Sequence, residues 1–90
     1  MKLIVLYRPN SEHASILDPF LREIAQRYPE IKKVEHLDLN TRDGAAMASI
    51  YDVVDYPGIV AATDDGVPQE VWQGMMLPLM SDVASHFRDQ

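Results

Sequence analysis

The most informative part of this chain is residues 56–66, which read Tyr-Pro-Gly-Ile-Val-Ala-Ala-Thr-Asp-Asp-Gly. Pro57 biases the residue before it towards extended geometry. Residues 58–62 form a short apolar run that predicts a buried strand. The Asp-Gly pair at the end of the stretch favours a tight hairpin turn. Residues 67–73 then predict a returning strand, and Pro68 suits an edge strand or a strand start.

The N-terminal part of the chain predicts a strand followed by a long helix. Residues 2–7 (KLIVLY) are a short apolar run, as expected of a strand covered on both faces. Ser11 stands where a helix N-cap belongs, and Glu12 lies favourably in the first turn. Pro19 is expected to cost one hydrogen bond inside this helix and to bend it. The helix is predicted to run to about residue 28, with an apolar face formed by Ile16, Leu17, Phe20, Leu21 and Ile24.

Two further helices and one more strand complete the predicted order. Residues 33–39 alternate and predict a second strand, after which either Asn40 or Thr41 caps a short helix with its body at residues 45–51. A last helix is predicted over residues 78–87, with a proline in its first turn and a buried stripe of Leu79, Val83 and Phe87. The resulting order, β-α-β-α-β-β-α, predicts an α/β fold. It has a four-stranded mixed sheet with helices on both faces, and its first two strands are parallel.

The composition limits the possible functions. The chain has 90 residues, of which 47% are hydrophobic, so we expect a single packed domain over residues 1–90. The net charge of −6 argues against nucleic acid or an anionic membrane as the main partner. The first apolar run is far shorter than the ~20 residues that span a bilayer, and no signal peptide is evident, so cytoplasmic residence is expected. The absence of cysteine excludes disulfides, thiolate metal sites and thiol chemistry.

The element order resembles that of the thioredoxin-like family in its minimal, glutaredoxin-sized form. Residues 19–25 are similar to the part of thioredoxin's first active-site helix that contains the kink proline. Residues 56–60, followed by 64–66, resemble the family's cis-proline loop, strand and hairpin turn. Gly74 falls where the family has a glycine before its final helix. The resemblance covers nearly the whole chain and implies a thioredoxin-like fold with a cis peptide bond before Pro57.

The catalytic pair of that family is missing. Alignment on the kink proline places residues 11–14 at the family's Cys-x-x-Cys, so Ser11 and Ala14 stand where the thiols would be. The family's buried carboxylate aligns with Val5. A hydroxyl is neither the nucleophile nor the leaving group that disulfide exchange requires. We therefore expect a redox-inactive domain with no catalytic residue and no cofactor.

Other chemical sites have little support in the sequence. Ser11 and His13 could suggest a nucleophile with its base, but residues two apart at a helix start point in different directions. The simpler interpretation is an N-cap followed by a solvated first turn. His13, His36 and His86 lie on three different predicted elements, without the spacing of metal ligands. The acidic pair before Gly66 lacks the other positions of a calcium loop and predicts only a turn.

The resemblance also implies a binding surface. In thioredoxin-like folds, the loop after the first strand, the cis-proline loop and the loop after the hairpin converge at one end. The candidate binding residues there are Tyr7, Arg8, Pro9, Ser11, Glu12, His13, Tyr56, Pro57, Met75 and Met76. In redox-active relatives the backbone before the cis-proline pairs with an extended peptide, which requires no cysteine. We expect a protein or peptide partner at this end, and self-association into a homo-oligomer stays open.

The residues around Trp72 allow two interpretations. Trp72 and one methionine can pack in the core, or Met75 or Met76 can stay exposed as an adaptable apolar contact.

Alternative functions stay open beside partner binding. The pair Leu6-Tyr7, followed by residues 9–11 (Pro-Asn-Ser), resembles the first loop of the KaiB family of clock proteins. That resemblance implies a regulatory protein that exchanges partners by rearranging its C-terminal half, whereas the C-terminal half here predicts an ordinary hairpin and helix. A glutathione-binding, transferase-like domain is a third possibility, although transferases of this kind add a helical domain. A purely structural role is the fourth.

Overall fold

Seven elements follow one another in the computed structural model, which describes residues 1–88. They are β1 (Lys2–Tyr7), α1 (Glu12–Arg27), β2 (Val34–Asp38), α2 (Arg42–Ile50), β3 (Gly58–Ala62), β4 (Pro68–Gln73) and α3 (Met80–Ser85). This confirms the predicted order, and β3 has the predicted bounds. No helix within residues 1–88 is long and apolar enough to cross a membrane.

The strands form one mixed sheet within the described residues, in the order β2-β1-β3-β4. β1 pairs with β2 in parallel, with Leu3 opposite Val34. β1 pairs with β3 in the antiparallel sense, with Val5 opposite Ile59. The β3–β4 hairpin is also antiparallel, and Pro68 begins its edge strand as predicted. This α/β arrangement is consistent with a minimal thioredoxin-like fold.

The two faces of the sheet carry separate cores because successive strand residues point to opposite faces. On one face, α1 and α3 pack over the central strands and bury Leu3, Val5, Leu17, Phe20, Ile24, Ile31, Ile59, Ala61, Val83, Ala84 and Phe87. On the other face, α2 and the segment after it bury Ile4, Leu6, Leu39, Ala48, Tyr51, Val53, Val60 and Ala62. The prediction of helices on both faces is confirmed.

The capping residues explain where the first two helices begin. Ser11 is the N-cap of α1, and its Oγ accepts a hydrogen bond from the His13 N–H. Pro19 lies inside α1, and the helix continues past it to Arg27. Of the two caps that the sequence allowed for α2, Thr41 is used, and its Oγ1 accepts from the Gly44 N–H at 3.0 Å.

The last helix is shorter than the sequence predicts. α3 begins at Met80, so Leu79 is its N-cap, with extended backbone. The Leu79 side chain is 69% exposed, and the prediction that it belongs to the buried stripe is wrong. Pro78 accordingly precedes the helix and is not part of its first turn. Val83 and Phe87 are buried as predicted, the latter just beyond the end of α3.

Candidate functional site

Two loops meet at the end of the sheet where α1 begins. The Tyr56–Pro57 peptide bond is cis, as the family resemblance implied. The Arg8 guanidinium lies over the Tyr56 ring at 5.6 Å from its centroid, within range of a cation–π contact. The His13 ring lies 6.3 Å from the same ring at a tilt of 48°. Tyr56, which is more than 40 positions away in sequence, therefore forms one cluster with Arg8 and His13, next to the buried Pro57 in the chain.

Ser11 caps the backbone and does not pair with a base. Its hydroxyl donates to the Arg8 carbonyl, and its oxygen accepts from the His13 N–H at 3.2 Å. The single hydroxyl proton is thus engaged with a carbonyl. The Nδ1 atom of His13 is buried without a hydrogen-bond partner among residues 1–88, so no Ser–His pair is assembled through this atom. The predicted N-cap role of Ser11 is confirmed.

Gln73, at the end of the edge strand, holds the loop that leads to the cis-proline. Its Oε1 accepts hydrogen bonds from the backbone N–H groups of Val54 and Asp55, at 2.8 and 3.1 Å. One residue later, the Gly74 N–H donates to the Pro57 carbonyl at 3.0 Å. The loop is therefore fixed on both sides of Tyr56. Gln73 was not among the predicted site residues, because nothing local to a glutamine in a strand reveals a contact 18 or 19 residues away.

Tyr56 differs from these neighbours in its backbone. Among residues 1–88, neither its N–H nor its carbonyl makes a hydrogen bond, although its ring is in contact with two side chains. Backbone donors and acceptors are strongly driven to find partners, in water or in protein. The unpaired groups lie at the antiparallel β1–β3 end of the sheet, where Leu6 is the last β1 residue to pair with β3, opposite Gly58.

An open cleft of about 550 Å³ lies beside the start of α1. Its lining is mostly polar: Tyr7, Pro9, Asn10, Ser11, Glu12, Ala14, Ser15 and Asp18. The Tyr7 hydroxyl shares a hydrogen bond with His36 Nδ1 at 3.2 Å. Burial raises the pKa of Tyr7 above its usual value, and the negative charges of Asp18 and Asp38 raise that pKa further. Tyr7 and the exposed Glu12 thus belong to an electronegative cleft beside the Tyr56 cluster.

The segment after β4 exposes two methionines. Met75 is 46% exposed and Met76 is 94% exposed. Trp72 packs partly buried against the core on the α1 face, and its ring contacts the His86 ring edge-on at 5.5 Å. Trp72 therefore packs against the core, as the first interpretation of this segment expected. Met75 and Met76 are both exposed, as the second interpretation expected of one of them. The hydrogen bond from Gly74 to Pro57 places the start of this segment beside the cis-proline loop.

The candidate metal ligands and the acidic pair before Gly66 have structural roles. Within residues 1–88, no group of three side chains is arranged to hold a metal ion. Asp64 accepts from the Met1 amino group at 3.0 Å and from Lys33 Nζ at 3.1 Å, and these hydrogen bonds lower the pKa of its carboxyl. The Gly66 N–H closes the turn by donating to the Thr63 carbonyl at 2.8 Å. The acidic pair before Gly66 is thus part of a hairpin turn, as predicted.

No protein-family model matches the sequence, and comparison with the curated proteins found no match. What this end of the molecule can do therefore rests on its own geometry and chemistry.

Proposed function

We propose that this chain is a redox-inactive, thioredoxin-like domain that binds an extended segment of a partner protein at its Tyr56–Pro57 end. The order of the elements and the mixed sheet support the family assignment. The absence of cysteine supports a role without thiol chemistry. In this proposal the domain has no catalytic residue and no cofactor, and it works in the cytoplasm.

The observation that carries the proposal is the unpaired backbone of Tyr56. Its neighbours in sequence are held by Gln73 and Gly74, so its N–H and carbonyl are presented by a loop that is already fixed. An extended peptide can pair with such groups as an added strand. Because the loop is already ordered in the free chain, binding loses little of its conformational entropy, and this favours affinity.

The surrounding side chains suit a protein partner. Arg8 and Tyr56 offer a cationic and aromatic surface, and residues of these types are enriched in protein interfaces. Met75 and Met76 add flexible apolar side chains that adapt to different partners. Strand addition would supply affinity through the main chain, and these side chains would supply specificity.

A peptide selection tests the proposal directly. A phage library of random linear 12-residue peptides would be panned against the chain, and selected peptides would be added to ¹⁵N-labelled protein. We expect the amide of Tyr56 to exchange rapidly with solvent in the free chain and to become protected in the complex. Shifts are also expected at Arg8 and His13, whose side chains contact the Tyr56 ring.

Two controls distinguish strand addition from non-specific peptide binding. N-methylation of the peptide should abolish binding only at the positions that pair with Tyr56. Arg8→Ala should weaken binding by about two- to fivefold, the usual cost of truncating an interface side chain that is not a hot spot. Arg22→Ala, an equal charge change at an exposed position beyond Pro19 on α1, should not. Peptides that bind without protecting the Tyr56 amide would contradict the proposal.

A further inference from the structure

The sulfur in this chain is confined to methionine. The chain contains no cysteine and five methionines: Met1, Met47, Met75, Met76 and Met80. All five lie within the described residues 1–88, and two of them are exposed, Met75 at 46% and Met76 at 94%. Thioethers are oxidised according to their access to the oxidant. Because no thiol competes, we expect an oxidant to react first with the two exposed methionines after β4.

The other three methionines are shielded by packing. Met1 and Met80 are partly buried against the core on the α1 face, and Met47 is partly buried against the core on the α2 face. Met75 and Met76 belong to neither core. A change in their polarity therefore leaves the packing of the domain intact, which distinguishes them from methionines whose oxidation unfolds a protein.

The position of the exposed pair gives their oxidation a consequence. Gly74 donates its N–H to the Pro57 carbonyl, and its φ of +102° turns the chain at that point. Met75 and Met76 therefore leave the fold one and two residues after a backbone bond to the cis-proline. A segment docked on Tyr56 would therefore pass close to the backbone from which these two side chains extend.

We propose that Met76, together with Met75, is a reversible oxidation site at which hydroperoxides weaken docking on the Tyr56–Pro57 end. This inference rests on the proposed function. The sulfur lone pair attacks one oxygen of hydrogen peroxide, so that an S–O bond forms while the O–O bond breaks. Sulfur loses two electrons, and the departing hydroxide takes the proton of the new S–OH group to become water. The product is methionine sulfoxide, a polar group where an apolar contact had been.

The order of oxidation is the first test. The chain would be treated with a limiting amount of hydrogen peroxide and mapped by peptide mass spectrometry at successive times. We expect a 16-Da increase at Met76 first and at Met75 second, with the other three methionines at least about fivefold slower because of their packing. Circular dichroism and the thermal midpoint should stay unchanged while this pair is oxidised. Equal rates at all five positions, or earlier oxidation of Met47, would overturn the inference.

The effect on binding is the second test. The probe is the library-selected peptide that protects the Tyr56 amide. We expect the oxidised chain to bind it about tenfold more weakly, the loss that follows when one buried methionine contact becomes polar. Methionine sulfoxide reductases of both stereospecificities should restore the affinity. The matched control is a chain carrying Met75→Leu and Met76→Leu, which keeps an apolar surface. Its affinity for the peptide should be the same before and after peroxide treatment.

The outcomes distinguish the two proposals. Unchanged peptide affinity after complete oxidation of Met75 and Met76 overturns the oxidation site and leaves the docking function standing. An equal loss of affinity in the double leucine variant also overturns it, since the loss would then arise elsewhere. If no selected peptide protects the Tyr56 amide, the docking function fails, and regulation by these methionines fails with it.

Discussion

Gly44 is the position at which two physical effects on stability have opposite signs. It lies in the first turn of α2, directly against the end of β2. A Cβ atom added there would lie 1.9 Å from the Asp38 carbonyl oxygen and 2.6 Å from the Asp38 carbonyl carbon. That carbonyl accepts hydrogen bonds from the Thr41 N–H at 3.0 Å and from the Thr41 hydroxyl at 2.7 Å. It cannot retreat without loss of the bonds that start the helix.

We expect Gly44→Ala to destabilise the protein by about 1–5 kcal/mol. Relief of the clash requires a backbone shift of more than an ångström, and overpacking of this kind costs about 1–3 kcal/mol. The shift would also weaken two hydrogen bonds, each with a net value of about 0.5–1.5 kcal/mol. The gain in helix propensity from glycine to alanine, about 1 kcal/mol, offsets only part of these losses.

Urea unfolding measures the change, with Trp72 fluorescence and far-UV circular dichroism as two independent probes. The matched control is Ala46→Gly, an exposed position in the same helix, which should cost about 1 kcal/mol through propensity alone. If Gly44→Ala is as stable as the parent chain, or more stable, helix propensity governs this site. That result would contradict the close approach of α2 to the Asp38 carbonyl.

Three further predictions follow from the contacts around the site. Ser11→Ala should destabilise the chain by about 1 kcal/mol in urea unfolding, because it removes the side-chain cap of α1; Ser11→Asp, which keeps a cap, should not. The pKa of Tyr7, measured by ultraviolet absorbance, should lie above its usual value. In Asp18→Asn it should fall only partway back, because burial is the larger cause and remains. An unchanged pKa in that variant would contradict the effect assigned to the Asp18 charge. Gln73→Leu should speed hydrogen exchange at the two loop amides that its side chain binds, whereas Gln73→Glu retains an acceptor and should preserve their protection. Equal exchange in both variants would show that the loop is held by other contacts.

Local chemistry was enough to predict most of the fold. The apolar run at 58–62 is bounded by Pro57 and an Asp-Gly turn, and β3 occupies those five residues. Ser11 caps α1 because a short hydroxyl before an amphipathic run can satisfy a free N–H at the helix start. The parallel pairing of β1 with β2 follows from the helix between them.

Features that depend on distant contacts were not predictable in the same way. Leu79 fits the spacing of the buried stripe, but helical spacing does not show whether the helix has already begun at that residue. The choice of Thr41 over Asn40 as cap depends on where the chain leaves β2. The bond from Gln73 to the loop before Pro57, and the placement of Arg8 over Tyr56, join residues that only the folded sheet brings together. For the candidate site, the family resemblance implied that these loops lie at one end of the sheet, but it did not show which contacts hold them there.

The attachment of the cis-proline loop to β4 has a consequence for how the molecule loosens. β4 is one of the two edge strands of the sheet within residues 1–88, so it has a strand neighbour on one side alone. Its last residue carries the side chain that holds the loop, and Tyr51 reaches the other end of the hairpin through a hydrogen bond to the Gly66 carbonyl at 2.9 Å. We therefore expect β4 and the loop to open together as one cooperative unit. A partner that binds the loop would therefore reduce the fluctuations of this edge of the sheet, from the cis-proline to the hairpin turn.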